Sequence, residues 1–216
     1  MAFYDSLVAQ TSAERSFLLS APALQETLSG QVTLTRYQAF LTQAYHHVKH
    51  TVPLLMATGS RLPSELEWMR KATIEYINEE YGHERWILND LRASGADITQ
   101  LAPANWATQA MVHSVYDRIQ QLHPAAFFGM AHVLEGTSIA LATQAAEKIK
   151  SALQLPNSAF SYLLSHGDLD LDHVAFFKDL MNQLTDVEAQ AAIVDTAKLV
   201  YRLYGEMFRA LPSLAE

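Results

Sequence analysis

Apolar residues recur at intervals of three and four along nearly the whole chain, and no segment alternates with the period of two that a half-buried strand requires. The run Tyr37, Phe40, Leu41, Ala44, His47 and Val48 shows the pattern. Only 8 Gly and 7 Pro interrupt 216 residues, and they fall between the periodic runs. A chain patterned in this way folds as an all-α bundle in which each helix buries one apolar face. Half of the residues are hydrophobic, which supplies enough burial to offset chain entropy and excludes disorder. The length fits a single domain over 1–216, close to the prior of ~150 residues per domain.

The punctuation predicts seven to nine helices. A first covers the N-terminal twenty residues, and a second follows Pro22 to Gly30. Thr33 or Thr35 caps a long third helix that Pro53 kinks and Gly59 ends. The capping box Ser64-x-x-Glu67 opens a helix to about Gly95. Pro103 begins another that reaches His123, and the next runs from Pro124 to about Leu153. A shorter helix follows Asn157, periodicity resumes from Phe176 to Leu184, and a second capping box, Thr185-x-x-Glu188, opens the last helix to about Leu211.

Composition removes several function classes. A formal charge of −8, with 23 acidic residues, leaves no broad basic face for nucleic acid. No cysteine is present, which excludes a disulfide scaffold, a thiolate zinc site and a cysteine nucleophile. No uninterrupted apolar run of ~18 residues occurs, so no membrane span is expected. The opening MAFYDSLVAQTSAERSFLL lacks the basic and apolar regions of a secretory signal, and a cytoplasmic location is expected.

Nine histidines remain to be explained, several beside carboxylates. His166, Asp170 and His173 fall within about 60° of one another around a helix, so one face presents two imidazoles and a carboxylate. That donor set suits iron, manganese or zinc. The same segment reads equally as an N-terminal capping region in which Asp168, Asp170 and Asp172 face the helix dipole. Glu80 and His83, in NEEYGHERW, form an E-x-x-H pair, the i, i+3 arrangement of bundle di-iron carboxylate sites. Glu79 and Glu84 flank it, so the stretch also reads as a solvated acidic face, with Glu79 an alternative ligand. Gly82 between the pair costs a helix about 1 kcal/mol, which close approach of a partner helix or ligand would explain. Glu135 stands alone in the apolar stretch GMAHVLEGTSIALA, with Ala131, His132, Ser138 and Ile139 as helical neighbours. A carboxylate buried there needs a cation, a metal or a proton. His46, His47 and His50 share helical faces and read as substrate-facing or supporting groups, or as a polar face packed by aromatics.

Taken together, Glu80, Glu135 and Asp170 with His83, His166 and His173 can hold two metal ions through bridging carboxylates and leave positions open for dioxygen, where a zinc hydrolase needs only three protein ligands. Residues 165–173 combine Gly167 with three aspartates and have poor helix propensity, so their folding is expected to be coupled to metal binding.

The order E-x-x-H, then L-E-G-T-S, then H-x3-D-x2-H resembles the haem-oxygenase-like di-iron oxidases, the iron-containing redox enzymes, within the superfamily that includes TenA, PqqC and the chlamydial CADD protein. The resemblance covers about Thr35 to Phe177. It implies a haem-oxygenase-like bundle, a homodimer, two ferrous ions and dioxygen as co-substrate. It also implies a small organic substrate, oxidised at an amine nitrogen or desaturated or cleaved as an amino or fatty acid. By resemblance His166, Asp170 and His173 are the C-terminal ligands, Glu135 the central carboxylate, His83 the early histidine, and Glu80 its partner. Some relatives carry a glutamate seven residues before that histidine, where this chain has Tyr76. TenA-type hydrolases use a cysteine this chain lacks, and haem oxygenases take an axial histidine from the first helix, whereas the earliest here is His46. The alternative is a metal-free small-molecule-binding or regulatory bundle in which these side chains are remnants.

Overall fold

A computed structural model describes residues 1–168 and 170–215, with the side chains of 166–174 outside the description. Among the described residues there are twelve α-helices and no strand. They are α1 (Phe3–Gln10), α2 (Ser12–Leu19), α3 (Pro22–Leu28), α4 (Leu34–Val48), α5 (Thr51–Arg61) and α6 (Glu67–Glu80). There follow α7 (His83–Ala93), α8 (Trp106–Gln121), α9 (Phe127–Leu153), α10 (Ser161–Asp168), α11 (Asp170–Gln183) and α12 (Val187–Arg209).

Three of the long runs that periodicity predicts are broken, each for a local reason. Thr11 separates α1 from α2, its hydroxyl donating back to the Leu7 carbonyl at 2.8 Å and competing with the helical ladder. Pro53 acts upstream of itself. It occupies the first turn of α5, where its missing N–H costs nothing, and its ring excludes the helical carbonyl of Lys49, where α4 gives way. Gly82, at φ +97°, separates α6 from α7. Its glycine is explained by that left-handed backbone and not by close approach, since an added Cβ would meet only Arg85 Cδ, 4.0 Å away. Helix α5 also runs through Gly59, which packs on Thr73 of α6, and ends at Arg61.

One cap stands at an expected position and others differ. Thr33 accepts from the Arg36 amide at 3.2 Å and starts α4. Ser64 makes no side-chain cap: Ser64–Leu66 is a 3-10 turn before α6. Asp186, not Thr185, caps α12, accepting from the amides of Glu188 and Ala189 at 2.9 and 3.2 Å. Asn105 caps α8.

Helix α9 is the axis of the molecule, packed against α10 and α12. With its preceding turn it forms a stretch, Pro124–Leu153, long and apolar enough to cross a membrane, and half of its most apolar window is buried inside the bundle. The core has two parts, and α9 passes through both. Its first turns, Phe127 to Val133, pack with α1, α5, α6, α8 and α12. Its later turns, Ala142 to Ile149, pack with Tyr37, Leu41, Ile87, Leu91 and Phe160. Each large side chain buried this way contributes about 1.5–3 kcal/mol. Residues 134–141 of α9, lying between the two, are half-buried or exposed. That seam is where polar groups can be placed without breaking either core.

Candidate metal centre

Glu80 ends α6 and His83 begins α7, so the E-x-x-H pair straddles a helix break where an unbroken helical face was expected. The turn at Gly82 still brings them together, with His83 Nδ1 3.1 Å from Glu80 Oε2. His83 is buried, its ring stacked on Trp86 at 4.1 Å between centroids. Glu79, the alternative ligand, points to the exposed side of α6.

Glu135 sits in the seam of α9. Glu80 and Glu135 line one cavity of about 50 Å³, together with His47 of α4, Tyr76 of α6, Ser138 of α9 and Tyr162 of α10. The rest of the lining is largely apolar, including Val48, Phe127, Met130 and Leu134. The Tyr76 hydroxyl donates to Glu135 Oε2 at 3.4 Å. Burial first, then the charge of Glu135, pushes the Tyr76 phenol well above its ordinary pKa, so it remains a donor. A phenol thus stands seven residues before His83 and holds Glu135 from the side.

The three histidines of α4 and its end separate. His47 is buried, lines the cavity and meets the edge of Tyr204 at 5.8 Å. His46 faces elsewhere, its Nε2 2.8 Å from the Ala102 carbonyl. His50 Nδ1 lies 3.3 Å from the Tyr116 hydroxyl, and burial, with Lys49, His113 and His46 nearby, lowers its pKa. The side chains of His166, Asp170 and His173 lie outside the described residues, and with them the expectation for 165–173. Among the described residues no three His, Asp or Glu side chains gather as a metal-holding group.

Two supporting residues have no motif of their own. Asp90 of α7 is fully buried and accepts from the Ser161 and Tyr162 amides at 2.9 and 2.8 Å, fixing the start of α10 from another helix. Burial raises its pKa, and the two backbone donors oppose that. Tyr162 is held at the cavity by this cap; burial and the neighbouring Tyr204 and Glu80 keep its phenol protonated. Its spacing of four from His166 on one helix is the signal that could have found it. His132, one turn before Glu135, stacks on Phe177 and meets the edges of Tyr4 and Tyr201. Burial first, then Arg15, lowers its pKa to about 4.

Whether these residues fit iron is answered by their chemistry. Two carboxylates from different helices face one small, largely apolar cavity, where paired negative charge is costly without a cation. A buried imidazole lies within hydrogen-bonding distance of one of them. Hard oxygen and borderline nitrogen donors suit ferrous iron. Residues 38–205 match the sequence profile of a family described as iron-containing redox enzyme.

The chain belongs to that family. No curated protein sequence matches it. Its fold is haem-oxygenase-like. It is similar to a domain of unknown function with a heme oxygenase-like fold from Shewanella denitrificans, with a TM-score of 0.82 and 19% identity over 96% of this chain and 90% of that one. It is also similar to a TenA homolog from Pseudomonas syringae pv. tomato, with a TM-score of 0.78 and 11% identity over 96% and 91%. A third likeness is to heme oxygenase-1 from the cyanobacterium Synechocystis, solved in complex with heme, with a TM-score of 0.75 and 16% identity over 96% and 91%. Likeness at these identities establishes the fold and leaves the chemistry to the iron-containing redox enzyme family.

Proposed function

We propose that the protein is a non-haem di-iron oxidase that uses dioxygen to oxidise a small organic substrate. The observation that carries this reading is the convergence of Glu80 and Glu135, from α6 and α9, on one cavity, with His83 held against Glu80. Glu80, His83 and Glu135 would hold the metal, joined on the family resemblance by His166, Asp170 and His173. Two ferrous ions, when bound, supply reduction of dioxygen and the oxidising power for an N–H or C–H bond.

The chain's own residues do the rest. Tyr76 donates to Glu135 and limits how far that carboxylate can swing. His47, Ser138 and Tyr162 form the polar wall against which a substrate is oriented. Val48, Phe127, Met130 and Leu134 exclude water from the reacting centre. A homodimer comes with this reading through the resemblance alone, and a cytoplasmic location is proposed with it.

The test is metal content. Full-length protein purified without chelators and loaded anaerobically with ferrous iron should hold two irons per chain by mass spectrometry and consume oxygen. Glu135→Ala and Glu80→Ala should each lose most of the iron while keeping the wild-type helical signal in circular dichroism. Wild-type iron in both variants, or none in the wild-type chain, refutes the reading; the latter leaves the metal-free binding protein.

A further inference from the structure

A second cavity, of about 70 Å³, lies beside the carboxylate cavity, and the two share Ser138 and Tyr162 in their walls. The linings differ in kind. The first has two carboxylates and an imidazole. The second is walled by side chains such as Phe40, Leu141, Ala145, Leu163 and Phe208.

Several polar groups in this second wall are already satisfied within the protein. The Tyr37 hydroxyl donates to the Ala159 carbonyl at 2.6 Å, Thr137 to Val133 at 2.6 Å and Thr27 to Ala23 at 2.7 Å. Among the described wall residues Arg36 alone is charged. It is neutralised by Glu26, 2.6 Å from its Nη1, while its Nε donates to the Pro212 carbonyl at 2.8 Å. Apart from Ser138, Tyr162 and Tyr204, such a wall offers a ligand dispersion contact and exclusion of water. A charged group placed there would lose its hydration without compensation.

We propose that this cavity holds an uncharged aliphatic arm of the substrate, which presents its polar, reacting end past Ser138 and Tyr162 to Glu80 and Glu135. The substrate class is therefore amphipathic: a hydrocarbon arm with one polar head. The binding half of this inference stands on the cavity itself; the placement of the reacting end rests on the oxidase reading above.

The experiment uses straight-chain primary alcohols of four to ten carbons, titrated calorimetrically into the full-length chain with and without ferrous iron. Affinity should rise about fourfold per added methylene and then level off when the cavity is filled. Ala145→Phe fills the second cavity from a wall position the carboxylate cavity does not use, and should weaken binding of the longer alcohols at least tenfold with iron content unchanged. Ala142→Leu narrows the same cavity more gently and should do so to a lesser degree. Affinity independent of chain length, or equal in the wild-type chain and both variants, overturns the inference. If neither variant folds, the chain-length series on the wild-type chain decides it. Graded alcohol binding by a chain that takes up no iron refutes the oxidase and keeps the aliphatic cavity. Normal iron uptake without graded binding refutes the cavity alone.

Discussion

Gly129→Ala sets the helix propensity of α9 against its packing. On an isolated helix the change stabilises by about 1 kcal/mol, because glycine is the poorer helix former. In the bundle, α9 crosses α12 at this residue. A Cβ on Gly129 would meet the Ile193 carbonyl oxygen at 2.4 Å, the Ala197 nitrogen at 2.8 Å and Thr196 Cβ at 2.8 Å. Two of these three are backbone atoms and cannot rotate aside. Ordinary contact begins at 3.4 Å, so the nearest pair must separate by about 1 Å. Overpacking of this kind costs about 1–3 kcal/mol net. At about 2–4 °C per kcal/mol for a chain of this size, the midpoint of thermal unfolding should fall by about 2–12 °C. Glu135 lies less than two turns further along α9, so the same displacement should also weaken ferrous affinity. Differential scanning calorimetry on the metal-free chain reads the first effect without the second. An unchanged or higher midpoint would show that propensity governs this position and that the close crossing is wrong.

Three further changes test the supports of the site. His132 has a native pKa of about 4 against 6.5 unfolded, so the unfolded chain binds the extra proton and stability falls as pH drops from 6.5 toward 4. This amounts to about 2 kcal/mol between pH 7 and 5, and His132→Phe should remove most of it in urea unfolding; an identical pH slope in the variant would reject the assignment. Tyr76→Phe keeps the ring and deletes the donor to Glu135, and should weaken ferrous binding about tenfold in chelator competition while the fold is retained. Asp90→Ala leaves two amides at the start of α10 without their acceptor and should cost about 1–3 kcal/mol, whereas Asp90→Asn, which keeps one carbonyl oxygen, should cost less. Equal losses in the two Asp90 variants would show that the cap is not the reason for the residue.

The helical class and the candidate carboxylates are legible because both depend on residues close together in the chain. A spacing of three and four marks a buried face whatever it packs against. Glu135 announces itself because a carboxylate in an apolar helix demands a partner. Glu80 and His83 were found for a reason the structure revises: they meet across the turn at Gly82 and not along one helical face. The cap at Thr185 failed by one residue, because Asp186 takes the same amides, whereas Ser64 enters a 3-10 turn and α6 starts with no side-chain cap.

What the sequence by itself determined, then, is the set of helices, their apolar faces, and the polar residues too costly to bury alone. These follow from short-range periodicity and from the energetics of single groups. The tertiary structure decided which faces meet. It placed Glu80 and Glu135 on one cavity, separated His47 from His46 and His50, and set a second, largely apolar cavity beside Ser138 and Tyr162. It also made Asp90 the cap of a helix that starts 71 residues later, and gave Gly129 its packing role against the backbone of α12. Such pairings join residues far apart in the chain, and no local period encodes them; they are selected only when all the helices close on a common core.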